Sequence, residues 1–463
     1  MRSFLKYKAM LIGLLLTFAI AVPVIAQTVT SGNDDTVLEQ IIIFGRHGVR
    51  SPTAQPATLA TYAIDPYPDF GVQPGYLTPH GQKAEVLLGS YYRAYLLHER
   101  LLTGNARSDL AHAYFRANSI QRSNVTAAKF GTGLIPGATI PVHSFPLGQT
   151  DAVFDPLKAK KATVDPARAE TEVQGIFGSG AALTSAYSGE RSLIRSVLFG
   201  YTLGLQPPPL PPSGKNDAAA EPFLLAANTT NLVTSNIIDV GGLLKIMDAA
   251  DPFVMEYADG LPLAKVGWDR LPPDALSQQT RLISLWFSIA MRSPYLARVQ
   301  SSNAASHILR SMEQAVIGDD IPGGFGNARS RAIIIVSSDV YMAGLAGLLG
   351  LHWALPGYQP DFCPPGGTLV FELRRPRRSR EHVVRAFYTA QTFDQLRNLT
   401  PLTLEAPPAT MQLFIPVEGR SAADLDVPFD VFQKLVRKAI DRECVEDPLQ
   451  EVRPGVLTDV PLS

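Results

Sequence analysis

Four apolar residues, Ile41-Ile42-Ile43-Phe44, run into Gly45 and are followed at once by Arg46, His47, Gly48, Val49 and Arg50. Three of the four are β-branched, and an unbroken apolar run of this length is what a strand buried on both faces produces. Such strands lie in sheets covered by helices, and in open α/β sheets ligands bind beyond the carboxyl ends of the strands. A strand that delivers two guanidiniums and an imidazole to that end is built for more than packing. Two arginines can fork onto the oxygens of an anion, and phosphate suits the geometry. The histidine between them can position a ligand or act as a nucleophile.

The arrangement recurs twice. Ala332-Ile333-Ile334-Ile335-Val336 is another buried-strand run. It ends at Ser337-Ser338-Asp339, and the composition predicts a helix over Met342 to Leu351. A strand predicted over Asp109 to Ala117 passes through Asn118-Ser119-Ile120-Gln121-Arg122-Ser123 into a helix over Val125 to Leu134. That places Arg122 near a helix N-terminus, a natural anion position. If the three strands are neighbours, Arg46, His47, Arg50, Arg122, Ser338 and Asp339 share one crevice. This set suits cleavage of a phosphate monoester. The arginines neutralise the phosphoryl oxygens, the imidazole attacks phosphorus, and the carboxylic acid protonates the departing alkoxide. With arginines doing the charge work, neither a metal nor another cofactor is required.

Elsewhere, Pro52 to Pro74 reads as a loop beside the arginines. Thr78 as N-cap and Pro79 at the first helical position start a helix whose Ala84, Leu87, Leu88, Tyr91 and Ala94 share a face. Asp165 to Gly204, Leu232 to Tyr257 and Asp274 to Ile317 have helical spacing, with a polyproline-prone connector at Pro207 to Gly214. Thr368 to Leu373 and His382 to Ala390 read as strands joined by the basic run Arg374 to Arg380, taken as a solvated hairpin tip. Met411 to Ile415 reads as a last strand and Phe429 to Ala439 as a final amphipathic helix. The expected fold is α/β: a parallel or mixed sheet flanked by helices, built from residues 27–154 and 321–463. A mostly helical domain, residues 155–320, is inserted in the middle.

The first 26 residues stand apart. Arg2, Lys6 and Lys8 precede an apolar stretch from Met10 to Val22, and Ala26 offers a small residue for cleavage, as in a secretory signal peptide. No later stretch approaches the roughly 18 apolar residues of a membrane span. A soluble periplasmic or secreted chain is expected, with no membrane attachment after cleavage. The 41 basic and 42 acidic residues leave a net charge of −1, which excludes a global basic field for nucleic acid. Cys363 and Cys444 are the only cysteines. They permit one disulfide in an oxidising compartment or remain two buried thiols.

Arg46-His47-Gly48-Val49-Arg50-Ser51-Pro52 matches the RHGxRxP signature of the histidine acid phosphatases. The chain resembles their bacterial periplasmic branch, which includes phytases and glucose-1-phosphatases. Gln121-Arg122-Ser123 stands where that family has its third phosphate-binding arginine. Val142-His143-Ser144, Phe154 to Lys158, Trp353 to Gly357, Pro364 to Glu372 and Thr400-Pro401-Leu402 look like further family stretches, so the likeness spans about residues 38 to 444. It implies His47 as the nucleophile that becomes phosphorylated, Arg46, Arg50 and Arg122 as phosphate ligands, and Asp339 as the proton donor. The family fold, an α/β domain with a helical domain over the site, agrees with the pattern above. In the family the loop after the signature shapes specificity, which here makes Thr53 a candidate pocket residue. The expected substrate is a small phosphate monoester, with sugar phosphates and inositol phosphates both open. One departure stands out: the family has a histidine where this chain has Ser338. Ser338 can donate one neutral hydrogen bond, weaker than a charge-assisted one. The chain is therefore expected to be either a slow phosphatase or a phosphate-ester binder that keeps the pocket without turnover.

Overall fold

The computed structural model describes residues 35–200, 243–272, 274–447, 452 and 454–455. The leader at 1–26 and the connector at Pro207 to Gly214 lie outside them. The strands are β1 (Thr36–Arg46), β2 (Ala113–Ala117), β3 (Val142–His143), β4 (Ala332–Ser337), β5 (Thr368–Pro376), β6 (Val383–Ala390), β7 (Ala409–Leu413), β8 (Val427–Pro428) and β9 (Pro454–Gly455). They form one mixed sheet in the order β7-β6-β5-β1-β4-β2-β3-β9, with β8 beside β6. β4 lies between β1 and β2 and is parallel to both, with Ile334 level with Ile43 on one side and Phe115 on the other. The carboxyl ends of these three strands therefore open in one direction.

Helices α1 (Pro56–Leu59), α2 (Pro79–His98), α3 (Ala106–Leu110) and α4 (Gln121–Leu134) come from the front of the chain. Between β3 and β4 the described elements are helical and include α5 (Pro166–Phe177), α6 (Gly180–Ala186), α7 (Ser188–Phe199), α8 (Leu243–Ala258), α9 (Ala275–Ala290) and α10 (Pro294–Ile317). The rear supplies α11 (Asp339–Leu348), α12 (Phe393–Asn398) and α13 (Phe429–Ala439).

The two central strands are apolar throughout because both faces are covered. Ile42, Phe44, Ile333 and Ile335 face a cluster that includes Phe253 of α8, Phe287 of α9 and Met312 of α10. Ile41, Ile43, Ile334 and Val336 face Leu88 and Tyr92 of α2 and Phe130 of α4. Each such side chain, fully buried, contributes about 1.5–3 kcal/mol, so the ends of β1 and β4 are firmly placed. Among the described residues no helix is long and apolar enough to cross a membrane.

Three expectations are corrected. The strand predicted over Asp109 to Ala117 begins only at Ala113; Asn105 caps α3, and the Asp109 carboxylate accepts from Thr103 and Gly104 instead of joining a ladder. The basic run is not all solvated. Arg374 is buried, its guanidinium shared between Glu372 and Glu99, and Arg375 pairs with Glu39. Finally, Cys363 and Cys444 form no disulfide. Both are buried, Cys363 in the large core and Cys444 in a separate cluster with Ala162 and Val299.

Candidate active site

The backbone at His47 is clamped from both neighbouring strands. His47 N–H donates to the Ser337 carbonyl at the end of β4 (2.9 Å), and the His47 carbonyl accepts from Gly366 N–H just before β5 (3.1 Å). Gly48 N–H donates to Thr126 Oγ1 on α4 (3.0 Å). The loop after Arg50 folds back on itself, with Gly75 N–H donating to the Pro52 carbonyl. Arg122 lies in the first turn of α4, and Asp339 is the first residue of α11 after Ser338 at its N-cap. The sheet thus brings Arg46, His47, Arg50, Arg122, Ser338 and Asp339 to one place. Thr53 is exposed and borders the same opening, on the side of Gly75 and the Arg122 guanidinium.

His47 is almost wholly buried, and its Nδ1 lies 2.9 Å from the Gly48 carbonyl oxygen. A carbonyl only accepts, so Nδ1 carries the proton and Nε2 keeps its lone pair. Burial, and then the positive charges of Arg122, Arg46 and Arg50, hold the imidazole pKa well below its usual value. The ring is therefore neutral near neutral pH, with the Nε2 lone pair available for nucleophilic attack.

The arginines are fixed by groups around them. Arg46 Nη1 donates to the Cys363 carbonyl (2.6 Å), and its Nη2 meets Asp339 Oδ2 (2.8 Å) and Asp251 Oδ1 (3.3 Å). Burial works against the Arg46 charge, but Asp339 and Asp251 outweigh it and raise its pKa. Arg50 Nη2 donates to Asp251 Oδ2 (2.7 Å), and Arg122 Nη1 donates to the Gly75 carbonyl (3.3 Å). Burial, followed by repulsion from Arg50, brings Arg122 down to about 10. In all three arginines the Nε atom is buried and has no hydrogen-bond partner. A buried donor without an acceptor costs about 1–3 kcal/mol. Asp339 Oδ1 accepts from Val340 N–H, so the carboxyl is oriented by its own helix as well as by Arg46.

Asp251 is the residue that sequence reasoning missed. It comes from α8, and its carboxylate spans Arg46 and Arg50. Burial alone would raise its pKa, but Arg50 and Arg46 more than reverse this and hold it below the usual carboxylate range. The available signal was an aspartate in the otherwise apolar stretch Ala249-Ala250-Asp251-Pro252-Phe253-Val254, since a buried charge needs a partner. Among the described residues no three His, Cys, Asp or Glu side chains are grouped to hold a metal ion.

Residues 37–174 match the family model described as the histidine phosphatase superfamily, branch 2. The chain is 27% identical to phytase AppA of Escherichia coli over 418 residues, covering 88% of this chain and 92% of that one. It is 24% identical to the glucose-1-phosphatase of Providencia rettgeri over 445 residues, 95% of this chain and 100% of the relative. In structure it resembles Hafnia alvei phytase in complex with tartrate, with a TM-score of 0.79 at 26% identity over 89% of this chain and 100% of that one. The Citrobacter braakii phytase gives 0.76 at 25% identity over 88% and 99%.

Proposed function

This chain carries a domain of the histidine phosphatase superfamily, branch 2, and from that premise we propose that it hydrolyses phosphate monoesters through a phosphohistidine formed on His47. The Nε2 lone pair attacks phosphorus while the bond from phosphorus to the ester oxygen breaks. That oxygen keeps the bonding pair and takes a proton from Asp339. Water, giving its proton to Asp339, then attacks the phosphoryl group, the P–N bond breaks, and inorganic phosphate leaves. Arg46, Arg50 and Arg122 balance the phosphoryl charge in both steps. The observation that carries this reading is the Nδ1 contact to Gly48, which leaves Nε2 as the free nitrogen of a buried ring beside three arginines.

The relatives named phytase and glucose-1-phosphatase support a phosphate ester of an inositol or a sugar as the substrate class. We read residues 27–154 and 321–463 as the catalytic domain and residues 155–320 as a helical insert that brings Asp251 over the site. We read residues 1–26 as a leader that directs the chain to the periplasm or outside the cell.

Ser338 favours a second reading, a pocket that binds phosphate esters without turnover. Loss of one transition-state donor costs about 10²–10³ in rate, and Ser338 supplies only a neutral one, so we take the chain for a slow enzyme. Release of phosphate from an aryl phosphate over roughly pH 3 to 8, with His47→Ala as control, decides between the two. Wild-type release above the control supports hydrolysis. Equal release with tight phosphate binding supports the binder.

A further inference from the structure

Arg46 is held twice by the loop of residues 349–367, which joins α11 to β5. Its Nη1 donates to the Cys363 carbonyl (2.6 Å), and its backbone N–H donates to the Gly367 carbonyl (2.8 Å). Its Nη2 rests on Asp339 and Asp251, and Asp339 changes charge during the reaction proposed above. The two carbonyls carry no charge to lose, so they are the constant part of the hold on Arg46.

Trp353 sets both carbonyls. Its Nε1–H donates to the Phe362 carbonyl (2.8 Å), one residue before Cys363. Pro364 follows Cys363 and biases it to extended backbone, which limits where its carbonyl can point. The indole face stacks on Tyr388 of β6, with ring centroids 3.9 Å apart and planes 4° from parallel. The Tyr388 hydroxyl in turn lies against Gly367, where a methyl group would come within 2.5 Å of it. Both rings are buried.

Asp361 locks Trp353 in place. Asp361 N–H donates to the Trp353 carbonyl (3.0 Å), and Trp353 N–H donates to Asp361 Oδ1 (3.1 Å). Asp361 stands at φ 58°, in the left-handed region that few residues other than glycine adopt. Aspartate tolerates it because its short side chain bonds locally. Its Oδ2 pairs with Arg292 (3.4 Å), whose guanidinium covers the Trp353 ring at 5.3 Å.

We propose that Trp353 is a positioning residue for Arg46. Supported by Asp361, it fixes the Cys363 and Gly367 carbonyls on which Arg46 hangs, and it acts on phosphate only through that arginine. The proposal deepens the hydrolase reading above and rests on its assignment of Arg46 to phosphate.

Trp353→Phe tests this, because it keeps an aromatic face for Tyr388 and removes the Nε1 donor. Calorimetry with inorganic phosphate, on folded protein, should show affinity weakened about threefold to tenfold, as for one lost hydrogen bond. The value of kcat/KM for an aryl phosphate should fall at least as far, since small misplacements of a positioned group are costly. Asp361→Ala should weaken phosphate in the same direction. A purely structural role would lower the melting temperature alone, so unchanged phosphate affinity in Trp353→Phe overturns the proposal, whatever happens to the melting temperature. Arg46→Lys supplies a second arm, because lysine lacks the fork that reaches both carboxylates and carbonyl. Adding Trp353→Phe to Arg46→Lys should cost no further phosphate affinity. A further loss as large as that in the wild-type background would show an effect that bypasses Arg46 and overturn the proposal. If the wild type binds phosphate but releases none from the ester, the hydrolase reading fails, and the calorimetric comparisons still decide the role of Trp353.

Discussion

Asp251 Oδ2 lies 2.7 Å from Arg50 Nη2, although 201 positions of sequence separate the two. The contact joins a helix from the middle of the chain to the end of the first strand. It places a carboxylate between two guanidiniums that are otherwise held by the Cys363 and Ser51 carbonyls, so Asp251 both preorganises the arginines and would compete with an anion for them.

Replacing Asp251 by Asn removes the counter-charge and leaves Arg46 and Arg50 buried side by side. Breaking a buried pair in this way costs about 3–5 kcal/mol. An anion that binds only the folded form returns stability by mass action. Thermal melts of wild type and Asp251→Asn, with and without inorganic phosphate, should show a lower melting temperature for the variant and a larger phosphate-induced rise. Equal rises would count against the competition.

The pH dependence follows from His47. Its folded-state pKa lies well below the usual value because of burial and then Arg122, Arg46 and Arg50. As pH falls through about 6.5, an unfolded histidine takes up a proton that the folded one refuses. Stability attributable to His47 is thus present above about 6.5 and declines below it, toward the depressed folded value. The folded imidazole stays neutral through the upper part of that window. The acid limb of kcat/KM against pH should therefore fall well below 6.5; an acid limb at the ordinary histidine value would refute the assignment.

Glu85 of α2 sits behind the histidine loop. A methyl group at Gly48 would come within 2.6 Å of its Oε1, and one at Gly366 within 2.7 Å, so both segments that hold His47 pass against this carboxyl. Oε1 has no hydrogen-bond partner, and burial raises the Glu85 pKa to about 8. An unfolded glutamate ionises near 4.5. Folding is thus unpenalised below that value and loses stability as pH rises from there toward 8. Glu85→Gln should melt close to wild type at pH 4 and above it at pH 8. Parallel melting curves at both pH values would contradict the assignment.

Ser338→His offers a larger and chargeable donor at the N-cap of α11, and Ser338→Ala offers none. Given the cost of a single donor, kcat/KM for an aryl phosphate should rise about tenfold or more in the first variant and fall in the second. No change in either would remove Ser338 from the phosphate-binding set.

Much of the crevice was legible because buried parallel strands leave an unmistakable pattern. Ile41 to Phe44 and Ala332 to Val336 had to be covered on both faces, and their polar ends had to open in one direction. Arg122 followed from one more strand-to-helix junction. Asp251 was not legible: it reaches Arg46 and Arg50 through long-range packing that no local period encodes. The extent of β2 was misread because the Asn105 and Asp109 side chains compete for backbone groups and turn Ala106 to Leu110 into a helix. Arg374 looked like part of a solvated tip. Only the pairing of β5 with β1, and the approach of Glu99, show it to be buried.

The central claim is the phosphoryl bond to His47. Phosphohistidine survives alkali, so turnover of an aryl phosphate can be quenched in base and the protein mapped by mass spectrometry. The account requires one added phosphoryl group on the peptide that carries His47 during turnover, absent from His47→Ala. Phosphate release by the wild type with no phosphorylated peptide, or with the phosphoryl group on another residue, would contradict it.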